Sequence, residues 1–119
     1  MRPLAILFRM AKYSASNHLD DLFFALSDPT RRAVLAQLQR SEPLSVTELA
    51  APLPIQIPTV LKHLDVLDRA GLIRRSKRGR TVSVRLKPRG TKAGLDWLTR
   101  HERFWSSSLD RLTRLVEES

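Results

Sequence analysis

Residues 45–71 read SVTELAAPLPIQIPTVLKHLDVLDRAG, from Ser45 to Gly71, and this stretch decides the fold. Ser45 and Glu48 stand at capping-box spacing, so a helix opens at Val46. Pro52 and Pro54 crowd its end and keep it short. Pro58 opens a second helix, which runs from Thr59 to Ala70 and stops at Gly71, a residue suited to the position after a helix. Two short helices joined by a tight turn make a helix-turn-helix. At about 100° per residue, Val60, Leu64 and Leu67 of the second helix point one way. Lys62, Val66 and Arg69 point the opposite way, with Thr59 and His63 along one edge. That second face is the candidate surface for reading bases.

Upstream, a first helix begins near Asn17, a good N-cap, with Asp20 and Asp21 in its first turn. Leu19, Leu22, Phe23 and Leu26 recur at helical spacing. Asp28 caps the next helix, whose first residue is Pro29 and whose buried side is Ala33, Val34, Leu35 and Leu38. Residues 1–16 read as a poorly ordered tail before a domain over 17–118. The apolar run from Leu4 to Phe8 is shorter than a signal-peptide core of about 7–15 residues, and no stretch approaches the ~20 residues of a membrane span. Met10 opens a stretch that reads as an ordinary N-terminus.

Downstream, Leu72–Ser76 and Thr81–Leu86 flank Lys77-Arg78-Gly79-Arg80. Val82, Val84 and Leu86 alternate with polar residues, the period of a half-buried strand, and Gly79 permits a tight hairpin. The last helix runs from after Gly90 to about Glu118. Leu95, Leu98, Trp105, Leu109, Leu112 and Val116 form a heptad seam with one polar gap at Glu102. With Trp97 and Phe104 besides, this helix carries more apolar surface than a small domain covers alone. The simplest cover is a second copy, in a two-fold dimer burying Leu19, Leu22, Phe23, Leu98, Trp105, Leu109, Leu112 and Val116. For Trp97 and Trp105 dimer core is preferred over the competing reading, a ligand cage.

Charge is concentrated. The chain of 119 residues has 21 Lys+Arg and 12 Asp+Glu, a formal net charge of +9. Residues 71–92 alone hold nine cations and no acid, so the rest of the chain balances to zero. A focused basic stripe is the footprint of a polyanion binder; the competing reading is a solvated loop. There is no cysteine, which excludes disulfides, thiolate metal sites and thiol redox switching.

The order helix, helix, helix-turn-helix, basic hairpin, long helix is that of a winged helix-turn-helix: mainly α with a small β-hairpin, α-α-α-α-β-β-α. Phe24-Ala25-Leu26-Ser27-Asp28-Pro29-Thr30-Arg31-Arg32 resembles the opening signature of the ArsR (arsenical-resistance repressor-like) family. So do Leu44–Ala50, Lys62-His63-Leu64 with Val66-Leu67, and Ala70-Gly71-Leu72-Ile73. Arg78-Gly79-Arg80 and Glu102-Arg103-Phe104-Trp105 resemble a branch of that family without sensing cysteines. The resemblance implies a dimeric, cytoplasmic bacterial or archaeal repressor that binds an inverted repeat in double-stranded DNA and regulates its own operon. It places Gln56, Thr59, Lys62 and His63 on or just before the recognition helix, and Arg78 and Arg80 on the wing, with Lys77 beside them. Many members have a serine where this chain has Leu61, which could touch a thymine methyl or extend the core edge.

The chemistry of the residues supports those roles. Lys62 reaches phosphate or guanine, Gln56 and Thr59 offer short polar groups near a helix N-terminus, and Arg78 and Arg80 suit a narrow A/T-rich minor groove. Arg74, Arg75 and Arg85 are expected on phosphates. His63 has a competing role in helix packing, and Arg31 and Arg32 could pair with Asp28 or touch phosphate. Relatives often sense metal on the last helix. Here Asp96, His101 and Glu102 offer one histidine, Asp96 lies off the face of His101, and His18 would have to join across a dimer, so no metal or cofactor is expected and the sequence names no effector. No phosphate loop, nucleophile elbow or HExxH occurs, so no enzyme is expected. Two other functions fit the same pattern: a winged-helix module binding protein or RNA, and a repressor sensing metal or a small ligand through its last helix.

Overall fold

The computed structural model describes residues 18–118. The expected N-cap Asn17 and the tail over 1–16 lie outside the described residues. Helix α1 is seen over 18–26, followed by α2 (Pro29–Arg40), β1 (Leu44–Ser45), α3 (Val46–Ala50) and α4 (Ile57–Arg69). Then come β2 (Ile73–Arg78), β3 (Thr81–Leu86) and α5 (Lys92–Glu118). The element types and their order are those of a winged helix-turn-helix.

The helix starts follow local chemistry. The Asp28 carboxylate accepts from the Arg31 backbone N–H at 3.0 Å, and Pro29 stands in the first turn, where a missing N–H costs nothing. At α3 both halves of the capping box form. The Glu48 N–H donates to Ser45 Oγ at 3.1 Å, and the Ser45 N–H donates to Glu48 Oε1 at 3.0 Å. These bonds hold both carboxyls below their usual pKa: Asp28 chiefly through the Arg31 N–H, Glu48 through the Ser45 N–H. A lowered folded-state pKa means that the caps contribute above the ordinary carboxylate pKa and fade as the pH falls below it. Helix α4 starts one residue earlier than expected, at Ile57, and Gln56 caps it by position alone, with no side-chain bond.

The sheet has three antiparallel strands in the order β1-β3-β2. Only the hairpin was legible in the sequence. The additional strand, β1, is two residues long, too short to show a period, and it pairs Leu44 with Val84 and Ser45 with Ser83. Arg78 pairs with Thr81, leaving Gly79-Arg80 as a two-residue loop. Gly79 has φ 60 and no non-glycine residue among those described has positive φ, so the turn has the type II′ pattern with glycine first.

The core draws on every element before α5: Leu22 and Ala25, Val34 and Leu38, Leu49, then Val60, Leu64 and Leu67, and Ile73 with Val84. Leu22 corrects an expectation. It was assigned to a dimer interface, but it is 1% exposed and lies in the domain's own core. The cause is Gly94, the sole buried residue of α5, where an added Cβ would stand 2.5 Å from Leu22 Cδ2. The missing side chain lets α5 press onto α1. Gly94→Val is therefore expected to lower stability by about 1–3 kcal/mol, as overpacking does. Urea denaturation checks this, and a midpoint at the wild-type value would refute the close contact.

Candidate nucleic-acid interface

Helices α3 and α4 are joined by residues 51–56, held by the Leu53 N–H donating to the Ala50 carbonyl at 2.9 Å. Leu53 and Ile55 pack against the core, which fixes the angle at which α4 leaves. Val60, Leu64 and Leu67 are fully buried, as their spacing requires. Val66, expected on the opposite face, is half-buried against the core, so the buried stripe is wider than three residues.

Gln56, Thr59 and Lys62 are exposed at the N-terminal end of α4. Leu61 is 39% exposed and Ile57 is exposed beside it. Leu61 therefore does not extend the core edge; it stands among the exposed residues, where a thymine methyl could meet it. The sequence pattern opens this helix at Pro58, one residue after Ile57, so its periodicity assigns Ile57 no face.

His63 is half-buried, and its Nδ1 lies 3.2 Å from an Arg31 guanidinium nitrogen. Arg31 is the one buried charged residue among those described, at 7% exposure. Its Nε donates to the Ala25 carbonyl and a terminal nitrogen to the Phe24 carbonyl, both at 2.8 Å, while the guanidinium lies over the Phe24 ring. Arg32 donates to the Leu26 carbonyl, also at 2.8 Å. Neither guanidinium pairs with Asp28 or reaches outward for phosphate. Both satisfy carbonyls at the C-terminal end of α1, where the helix dipole favours a cation.

The wing divides its cations by strand parity. Ile73 and Arg75 alternate with Arg74 and Ser76 and pair with Leu86 and Val84, on the core side, while Lys77 and Arg78 lie beyond the core, exposed. Arg75 was expected on phosphate. Instead its guanidinium pairs with Asp65 Oδ1 at 2.7 Å and Asp68 Oδ2 at 2.9 Å, both on α4. Burial opposes its charge, but the hydrogen bonds and charges of the two aspartates outweigh that and raise its pKa. The pairing ties the wing to α4 and offsets one of the two carboxylate charges there.

Arg74 and Arg85 face each other directly across β2 and β3, both exposed. Like charges at opposed positions destabilise a sheet unless a polyanion covers them. Lys77, Arg78 and Arg80 are all exposed at the tip. The structure thus brings together an exposed polar helix end and a cationic hairpin joined to that helix through Arg75.

The last helix has a different surface. Leu98, Trp105, Leu109, Leu112 and Val116 are exposed, as are Leu95, Phe104 and Leu115. Trp97 turns inward, edge-on to Phe23 with 5.9 Å between ring centres, and His101 stacks on it at 3.8 Å. Leu19, Asp20, Phe23, Trp97 and Leu98 line a groove of about 460 Å³ between α1 and α5. His101 Nδ1 is bonded to the Trp97 carbonyl at 2.8 Å and Asp96 is ion-paired to Lys92. Among the described residues no helix is long and apolar enough to cross a membrane.

Residues 26–76 match the family described as a helix-turn-helix domain. The HTH-type transcriptional regulator Rv2034 of Mycobacterium tuberculosis is 37% identical over 98 residues, covering 82% of this chain and 88% of that protein. The transcriptional repressor SdpR of Bacillus subtilis is 26% identical over 80 residues, covering 67% of this chain and 88% of that protein. The crystal structure of an ArsR family transcriptional regulator, RHA00566, superposes with a TM-score of 0.72 at 38% identity, covering 77% of this chain and 94% of that one.

Proposed function

This chain belongs to the ArsR-like family of helix-turn-helix transcriptional regulators, and on that premise we propose that it is a dimeric repressor that occupies an inverted-repeat operator and blocks its own promoter. It acts in the cytoplasm, where the DNA lies. The observation that carries this reading is the exposed set Gln56, Thr59, Leu61 and Lys62 at the start of α4, beside a hairpin whose tip holds Lys77, Arg78 and Arg80. Side chains at the start of a recognition helix meet base edges in the major groove. Arginines at a wing tip meet the narrow minor groove of the flank. Arg74 and Arg85 add phosphate contacts, without sequence information. SdpR, named as a repressor, supports the sign of regulation.

The test is a set of binding isotherms on the duplex upstream of the chain's own gene. With about six phosphates neutralised, log K against log salt should fall with a slope near −5. Lys62→Ala should cost about 1–3 kcal/mol of discrimination at one base pair. Arg78→Ala should weaken binding most on A/T-rich flanks. Equal affinity for the operator and a scrambled duplex would overturn sequence-specific reading, and an unchanged salt slope for Arg78→Ala would remove the wing from the interface.

A further inference from the structure

We propose that Arg31 is a positioning residue that locks the His63 imidazole in its Nε2–H tautomer, so that α4 presents a hydrogen-bond donor, never an acceptor, at that position. The inference rests on the DNA-reading function proposed above. A guanidinium has five N–H donors and no acceptor. Since one of its nitrogens lies 3.2 Å from His63 Nδ1, that ring nitrogen must offer its lone pair. In a neutral imidazole the single proton then sits on Nε2.

The guanidinium has no freedom to release the ring. Its Nε and its other terminal nitrogen are held by the Ala25 and Phe24 carbonyls, and the Phe24 ring lies 4.8 Å from its carbon. The nearby Asp28 carboxylate is engaged with the Arg31 backbone N–H at 3.0 Å. Nε2 has no hydrogen-bond partner among the described residues, and no buried side-chain nitrogen there lacks one, so Nε2 of the half-buried ring is not sealed from solvent. His63 follows Lys62 and stands one turn after Thr59, on the edge of the same surface.

A fixed donor has a fixed vocabulary in the major groove. Guanine O6 and N7, adenine N7 and thymine O4 can accept from Nε2–H, whereas the cytosine amino group cannot. His63 therefore selects against cytosine at the base it meets, and Arg31, which touches no base, sets that preference.

Two measurements on the full chain test this. At pH 8, where an ordinary imidazole is neutral, the ¹⁵N pattern of His63 should be that of the Nε2–H form in the wild type and move toward a mixture in Arg31→Lys. A wild-type pattern of the Nδ1–H form, or an even mixture, would overturn the lock. In operator selection, His63→Gln presents either a donor or an acceptor, so the discrimination against cytosine at one position should shrink about tenfold. Arg31→Lys should relax the same position, while Lys62→Ala relaxes another. A uniform loss of affinity with base preference intact would reduce Arg31 to a structural role and overturn the proposal. His63→Gln leaves the α1 contacts of Arg31 in place, so its result stands even if Arg31→Lys fails to fold. Wild-type protein with no sequence preference would sink the DNA reading, and the ¹⁵N pattern would still decide the lock alone.

Discussion

Trp105→Glu is expected to turn the protein into a monomer at micromolar concentration and to lower its affinity for a full inverted repeat by about 10²–10⁴-fold. Trp105 is 64% exposed and Leu112 58% exposed, each on a helix of 27 residues that buries only Gly94. Fully covering one large apolar side chain is worth about 1.5–3 kcal/mol. Leu98, Trp105, Leu109, Leu112 and Val116 are each partly covered already, so covering the rest of them in both partners of the proposed dimer is worth about 9–18 kcal/mol, enough to offset most or all of the roughly 4–15 kcal/mol that association costs. The groove between Leu19, Phe23, Trp97 and Leu98 continues the same surface toward α1. A carboxylate at Trp105 would have to be buried without a counter-charge, or the helices would separate. Affinity for the full operator then falls because the second half-site is no longer bound intramolecularly. Sedimentation velocity reads the first effect. Paired isotherms on the full repeat and on one half-site read the second, and half-site affinity should stay at the wild-type level. A Trp105→Glu protein that remains dimeric would place the two-fold interface elsewhere.

How much of this was legible depended on whether the signal was local. The caps at Asp28 and Ser45 were, because their partners lie three residues away. So was the buried face of α4, because one helical period sorts Val60, Leu64 and Leu67. The roles of individual cations were not. Arg74 and Arg75 are neighbours of like chemistry, yet strand parity sends one outward and the other down to Asp65 and Asp68, ten and seven residues back. Leu22 shared the spacing of a dimer face, and only the absent side chain at Gly94, 72 positions away, draws it into the core. The concentrated charge read from the sequence is thus split in the structure into tip cations, an opposed pair and a clamp onto α4.

Arg31→Ala is expected to cost about 3 kcal/mol of folding stability, whereas Arg32→Ala should cost under about 1 kcal/mol. The two side chains are adjacent in sequence and both donate to carbonyls ending α1. Burial separates them. Arg31 is 7% exposed and serves two carbonyls and a histidine, while Arg32 is exposed and serves one carbonyl. A hydrogen bond from a charged donor contributes about 1.5–3 kcal/mol, and a buried acceptor left unpaired costs about 1–3 kcal/mol. Water can reach the Phe24 end, since that residue is exposed, which keeps the total well below the sum of three such bonds. Against a domain stability of roughly 5–15 kcal/mol, 3 kcal/mol is a large share. Near the melting midpoint it corresponds to a fall of at least ~10 °C for a domain of this size. Differential scanning calorimetry and urea titration of the two variants measure the contrast. Equal losses would mean that Arg31 caps α1 no better than its solvated neighbour does.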